Sequence, residues 1–295
     1  MLGDDVEGRA SARPGAAGRG RAEARPSKRA KLTQPSGLGY RAGVRWPVAI
    51  LVLFVALPAA AQPAALRAEV VASYPHDPRA FTQGLVWQDG ALYESTGLVG
   101  RSSVRQVELA TGRVLRQADL PPPLFGEGLA WMGGELIQLT WQNQRALRWA
   151  AADFASRGEW RYDGEGWGLC FDGTALVQSD GSHRLFFRDP KTFAVTRTLA
   201  VTENGLPLGR LNELECVGDT IYANVWLTDR IVAIAALNGT VRASIDASGL
   251  LSDDERRTLD HQAILNGIAH DPADGTFLIT GKLWPKLFRV RFAPR

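Results

Sequence analysis

The sequence predicts an all-β fold: a five-bladed β-propeller with four-stranded antiparallel blades and one short inserted helix. Three observations predict it. A segment recurs five times, each recurrence contains short strands punctuated by turn residues, and the 295 residues include 31 Gly and 9 Trp. Gly supplies turns and Trp walls pockets, but both are common in barrels as well as propellers. The recurrence carries the prediction, because self-similarity at a spacing of about 40–50 residues marks a repeat architecture.

The five segments open at Gln83 (QGLVWQDG), Glu127 (EGLAWMGG), Trp167 (WGLCFDG), Asn212 (NELECVG) and Asn266 (NGIAHD), at steps of 44, 40, 45 and 54 residues. Each opening reads as a strand followed by a Gly- or Asp-bearing turn. A second strand follows in each: Ala91–Thr96, Leu136–Trp141, Ala175–Asp180, Ile221–Trp226 and Phe277–Lys282. Then comes a third: Ser103–Val107, Arg145–Trp149, Arg184–Arg188, Arg230–Ile234 and Leu287–Arg291. The shared Gly at the second position permits close backbone approach where first strands crowd an axis. The strand Leu66–Ser73, upstream of the first repeat, is expected to complete the last blade and so remove a free sheet edge. The long last step holds Ser252–Leu259, whose Ser252 and Glu255 have capping-box spacing, so a short helix is expected there.

Ahead of the repeats the chain changes character. Residues 1–46 hold ten Lys/Arg against four Asp/Glu, a charge of +6; the rest holds 24 against 27, a charge of −3. A body so near neutrality does not suit nucleic-acid binding. Residues 1–40 are rich in Ala, Gly, Arg and Pro without apolar periodicity. They read as disordered, or as translated from an upstream start. Arg41 and Arg45, the apolar run Pro47–Leu57 and the small-residue stretch up to Ala61 read as a secretory signal cleaved near Ala61. The run is short for a membrane span, although an uncleaved anchor is the alternative. The chain thus divides into an extension with signal, 1–62, and a propeller domain, 63–295, exported to the periplasm or beyond. A monomer is the expectation for a closed ring.

Cys170 and Cys216 lie in the exported part. One disulfide is allowed; two buried small hydrophobes are the preferred reading. Four scattered His show no metal-ligand spacing, so no zinc site is read.

Function in a propeller gathers where the inner strands end. The residue before the shared Gly position is Gln83, Glu127, Trp167, Asn212 and Asn266. A purely structural repeat tolerates one residue type there, whereas amide, carboxylate, indole, amide and amide look like a site. The second strands end at Gly97, Trp141, Gly181, Trp226 and Lys282. Bland alternatives stand beside each: a solvated loop carboxylate for Glu127, a surface lysine for Lys282, core indoles for Trp141, Trp167 and Trp226, and strand-end hydrogen-bonders for Gln83, Asn212 and Asn266.

Several ordered motifs carry a resemblance: Phe81–Leu85 (FTQGL), Tyr93–Leu98 (YESTGL), Phe125–Leu129 (FGEGL), Glu165–Leu169 (EGWGL), Ser179–Ser182 (SDGS), Leu211–Glu215 (LNELE), Tyr222–Trp226 (YANVW), Leu265–Ala269 (LNGIA) and Thr280–Trp284 (TGKLW). Together they resemble the plant-type (papaya-type) glutamine cyclotransferases and their bacterial relatives, over residues 66–292. Cys216 departs from the apolar or aromatic residue expected after Glu215. The resemblance implies a five-bladed propeller, and an activity that closes N-terminal glutamine of peptides into pyroglutamate with loss of ammonia. It implies an acid/base carboxylate at Glu127, and a pocket of Phe81, Gln83, Phe125, Trp141, Trp167, Asn212, Trp226 and Lys282. It also implies no catalytic zinc and no cofactor, with a structural cation left open.

A mechanism follows as an expectation. The attacking amine must be neutral, and its ordinary pKa of about 7.7–8.0 lets an apolar pocket favour that form. An aromatic cage holds the folded-back conformer. Lys282, or the amides of Gln83 and Asn212, faces the oxyanion. Glu127 serves first as base and then as acid. The rivals are a non-catalytic exported propeller that binds peptides, a lactonase and a quinone-dependent dehydrogenase. A single carboxylate among the five first positions argues against a calcium hydrolase, and Lys282 alone is too little for a quinone site. Natural substrates and the preference after glutamine are not legible.

Overall fold

A computed structural model describes residues 62–295. The basic extension and the segment read as a signal lie outside the described residues, Gln62 apart. Strand β1 (Ala64–Pro75) comes first. Sheet I is β2 (Thr82–Gln88), β3 (Ala91–Thr96), β4 (Ser103–Glu108) and β5 (Arg113–Asp119); sheet II is β6 (Gly126–Met132), β7 (Glu135–Thr140), β8 (Arg145–Ala150) and β9 (Ser156–Arg161). Sheet III is β10 (Leu169–Phe171), β11 (Leu176–Ser179), β12 (Arg184–Arg188) and β13 (Val195–Ala200). After a small hairpin, β14 (Thr202–Glu203) and β15 (Leu206–Pro207), come β16 (Leu211–Val217), β17 (Thr220–Val225), β18 (Arg230–Ala235) and β19 (Val241–Asp246). Helix α1 (Asp253–Thr258) precedes β20 (Leu265–Asp271), β21 (Thr276–Gly281) and β22 (Lys286–Pro294).

β1 joins the last two groups into one sheet of eight strands. It lies antiparallel to β22, from Leu66 opposite Pro294 to Pro75 opposite Lys286. It also runs parallel to β19 at Ala64–Arg67. The antiparallel pairing makes β1 the fourth strand beside β20–β22, the position expected for Leu66–Ser73. The parallel seam was not legible, because pairing partners leave no mark on a single strand. Helix α1 has the expected capping box: Ser252 Oγ accepts from Glu255 N, and Ser252 N donates to Glu255 Oε2 at 2.9 Å.

The core is divided among the faces between adjoining sheets. One cluster joins sheets I and II through Val86, Val104, Leu129 and Leu136; another joins II and III through Ile137, Leu139, Leu169 and Leu176. A third includes Val177 and Leu185 of sheet III with Leu214 and Ile221, and a fourth pairs Ile231 and Ile245 with Ile268 and Ile279. A fifth returns from Ala269, Leu278 and Leu287 to Leu85 and Leu92. The order of contacts is therefore cyclic. The inner strands, such as β2, β3, β6 and β7, are buried on both faces, which is why near-continuous apolar runs replace simple alternation there, whereas β1, β5, β9 and β13 are largely exposed.

Inner strands approach closely where the repeat places Gly. A Cβ on Gly84 would lie 2.5 Å from Leu129 N, one on Gly128 2.5 Å from Leu169 N, and one on Gly168 2.1 Å from Asn212 O. The fourth repeat has Glu213 at this position. Its buried carboxylate spans neighbouring strands, accepting from Leu85 N at 3.2 Å and Ile268 N at 2.8 Å.

Cys170 of β10 and Cys216 of β16 form a disulfide with Cα atoms 5.5 Å apart. This corrects the reading of the pair as two free hydrophobes. Residues 46 apart gave no hint that equivalent inner strands would bring them together.

Candidate active site

The ladder registers gather the site on one edge of the sheets. In an antiparallel pair the start of one strand faces the end of the next, so Thr82 pairs with Thr96, Gly126 with Thr140, Leu211 with Val225 and Leu265 with Gly281. The residues that follow Thr140, Val225 and Gly281 are Trp141, Trp226 and Lys282. Each of these four registers then shifts, and the shifted residues include Gln83, Glu127, Asn212 and Asn266. A β-bulge re-aims a side chain away from the regular pleat. Four of the five positions singled out by the repeat thus stand in bulges, and Trp167 lies just before β10.

Glu127 is buried, and Gln83 Nε2 donates to its Oε1 at 3.0 Å. Asn266 Nδ2 in turn donates to Gln83 Oε1 at 3.2 Å and to Thr82 O at 3.0 Å. Thr82 is anchored beside a buried ion network, its Oγ1 donating to Glu94 Oε1 at 2.6 Å while Arg105 Nε donates to Glu94 Oε2 at 2.9 Å. Burial holds the Glu127 carboxyl well above the ordinary range; the Lys282 charge opposes this and Glu165 adds to it.

Lys282 is also buried, at 6% exposure. Its backbone is fixed by Lys282 N donating to Ile264 O at 2.9 Å. Its Nζ lies 4.8 Å from the centroid of the Phe81 ring, a cation–π contact. Burial pulls its pKa down to about 8, and Glu127 resists that pull. The two charges sense one another without forming a close ion pair.

Aromatic rings make the walls. Phe81 and Phe125 meet edge to face at 6.1 Å, Phe125 and Trp141 at 5.7 Å, and Trp167 and Trp226 at 5.4 Å. Two glycines make room for them: a Cβ on Gly97 would lie 2.4 Å from the Phe125 ring, and one on Gly181 2.7 Å from the Trp167 ring. Glu165 Oε2 accepts from both Trp141 Nε1 at 2.9 Å and Trp167 Nε1 at 3.0 Å, while Gln142 Nε2 donates to Oε1 at 3.0 Å.

Every residue singled out from the sequence therefore lies on this edge, linked into three groups. Gln83, Glu127 and Asn266 share hydrogen bonds. Phe81, Phe125 and Trp141 are in ring contact, with Lys282 over Phe81. Trp167 and Trp226 are in contact, and Asn212 lies against Gly168, the neighbour of Trp167. Three residues escaped the sequence reading. Glu165 sits inside the EGWGL motif, but nothing in one sequence says it clamps two indoles. Glu213 was signalled by its break in the Gly repeat. Asn224, two residues before Trp226, accepts from Gly267 N at 3.0 Å through its Oδ1. No group of three or more His, Cys, Asp or Glu able to hold a metal occurs among the described residues. No helix among them is long and apolar enough to cross a membrane.

Comparison with known proteins places this geometry among relatives. The family described as glutamine cyclotransferase matches residues 48–292. A glutaminyl-peptide cyclotransferase of Arabidopsis thaliana is 40% identical over 228 residues, covering 76% of this chain and 70% of that one. The crystal structure of Myxococcus xanthus glutaminyl cyclase superimposes with a TM-score of 0.75 at 39% identity, covering 79% of this chain and all of the other.

Proposed function

The chain belongs to the glutamine cyclotransferase family and is an enzyme of that type, acting on glutaminyl peptides; we propose that it performs this chemistry on the sheet edge that carries Glu127 and Lys282. The observation that carries the assignment is the juxtaposition of a buried carboxyl and a buried amine behind an aromatic wall. Their pKa values are driven toward each other, Glu127 upward and Lys282 down to about 8. A group that must take a proton and return it works best with a pKa near the working pH.

The substrate's α-amine attacks its own side-chain carbonyl carbon. Phe81, Phe125, Trp141, Trp167 and Trp226 hold the folded-back glutamine, so the reaction gains from proximity. Asn212 and Asn266 hold its polar atoms. Glu127 takes the proton released by the amine. The carbonyl oxygen becomes an oxyanion facing the Lys282 ammonium. Glu127 then returns the proton to the amide nitrogen, the C–N bond breaks, and ammonia and the lactam separate. All reacting groups belong to one substrate and no electron is gained or lost, so the scheme needs no cofactor and no catalytic metal.

The cyclic order of sheet contacts supports a closed five-bladed propeller, with β1 as the outer strand of the last blade. A closed ring leaves few sheet edges to pair, which supports a monomer. The signal-like segment before Ala61 supports export, with 63–295 as the catalytic domain, and the disulfide agrees with an oxidising compartment. The test is pyroglutamate formation from a short peptide beginning with Gln. The wild type should turn over, and Glu127→Gln should lose about 10²–10⁴-fold in kcat while folding normally. Near-wild-type turnover by the folded variant rejects Glu127 as the acid/base group.

A further inference from the structure

Three buried side-chain polar atoms among the described residues lack a hydrogen-bond partner: Asn212 Oδ1, Asn224 Nδ2 and Asn266 Oδ1. All are asparagine amides, and they stand together. The β16–β17 register runs from Leu211 opposite Val225 to Leu214 opposite Ala223, so Asn224 faces the bulge that holds Asn212. Asn224 Oδ1 accepts from Gly267 N at 3.0 Å, which ties it to the neighbour of Asn266. Buried polar groups are nearly always paired, and leaving one unpaired is costly. Three in one place point to an occupant.

The surroundings fix what that occupant must offer. Asn224 cannot turn over without losing the Gly267 bond, so its free atom is a donor. Asn266 donates through Nδ2 to Thr82 O and Gln83 Oε1, so its free atom is an acceptor. The Asn212 side chain bonds to no described residue, so its amide can present its oxygen. One donor and two acceptors complement a small molecule with N–H or O–H groups and a lone pair. A bare cation is rejected by the Asn224 N–H. A planar amide nitrogen has no free lone pair for it.

We propose that Asn212, Asn224 and Asn266 form a seat for the ammonia released in the reaction. The seat rests on the cyclotransferase reading above. Glu127 protonates the amide nitrogen of the tetrahedral intermediate, the C–N bond breaks with its electron pair going to nitrogen, and the carbonyl re-forms. The neutral ammonia then offers three N–H groups and one lone pair. Asn266, hydrogen-bonded through Gln83 to Glu127, places the seat one side-chain link from the proton donor. A water molecule satisfies the same atoms between turnovers.

The test is the initial rate of pyroglutamate formation, read by chromatography, with the wild-type protein and a Gln peptide. Ammonium, methylammonium and sodium chlorides are compared at equal ionic strength, at an alkaline pH where both amines are partly neutral. Ammonium should raise the apparent KM, and methylammonium, whose methyl group must be accommodated among atoms already buried from solvent, should inhibit about tenfold less. Asn224→Leu, which removes one hydrogen bond, should weaken ammonium inhibition about five- to tenfold. Equal inhibition by the two amines, or none by ammonium, overturns the seat and leaves water alone as occupant; this arm needs no variant to fold. Unchanged ammonium inhibition in folded Asn224→Leu also overturns it. Turnover without selective inhibition rejects the seat alone, whereas no turnover at all rejects the cyclotransferase reading and the seat with it.

Discussion

Gln83 Nε2 donates to Glu127 Oε1 at 3.0 Å from the equivalent bulge of the adjoining sheet. The direction of this bond is set from outside the pair, because Asn266 Nδ2 occupies Gln83 Oε1. Glu127 therefore always meets an N–H, in a site where burial opposes its charge. A hydrogen bond to a charged group contributes about 1.5–3 kcal/mol. Gln83→Ala should lower kcat about 10–100-fold. A donor favours the ionised carboxyl, so its loss raises the pKa and should move the acid limb of the pH–kcat profile upward. An unmoved acid limb means the bond does not tune Glu127.

Glu165 works through other side chains. Its Oε2 is the shared acceptor for the indoles of Trp141 and Trp167, from two different sheets. Glu165→Ala removes both bonds and should raise KM more than it lowers kcat, with a changed tryptophan emission spectrum. Glu165→Gln keeps an acceptor and should restore KM. The charge is lost in both variants, and that charge helps hold Glu127 high. The acid limb should therefore shift downward in both, the opposite of Gln83→Ala.

Lys282 sets the other limb. Its pKa is lowered to about 8 by burial, so it is charged below that pH and neutral above it. Oxyanion stabilisation is present at neutral pH and fades as pH rises through about 8. The amine nucleophile gains reactivity over the same interval, so kcat should peak and then fall. Lys282→Arg keeps its charge far above this range and should abolish the alkaline fall, even if misplacement lowers the maximum. A fall that persists in Lys282→Arg assigns the limb to another group.

The sequence revealed most of this architecture because one plan is written five times. A position compared across five copies shows which residue is odd, and Gln83, Glu127, Asn212 and Asn266 emerged that way. Strands buried on both faces were legible from their apolar runs. Apart from β1, the fourth strands were not, because strands such as β5 and β13 are largely exposed and carry little pattern. The bulges were hidden too, since a register shift depends on the partner strand. Glu165 and Asn224 act through contacts between sheets, which a repeat comparison within one position does not reach, and the break in the Gly repeat at Glu213 did not reveal its partners.

The disulfide gives the last prediction. Cys170 lies in β10, which follows Trp167, and Cys216 in β16, which also holds Asn212, and they close a separation of 46 residues. A crosslink of that length stabilises by about 2–4 kcal/mol, mainly by restricting the unfolded chain. The core cluster around the crosslink includes none of the wall aromatics and none of Gln83, Glu127 and Asn266. Cys170→Ala with Cys216→Val should therefore lower Tm by roughly 5–15 °C, at about 2–4 °C per kcal/mol for a domain of this size. Reductant should lower the wild type's Tm similarly and leave the variant unmoved. Turnover at 25 °C should stay near wild type, because the inner strands are also held by the cluster around Val177, Leu214 and Ile221. A large loss of turnover below the melting range would instead make the crosslink a positioning element for Trp167 and Asn212.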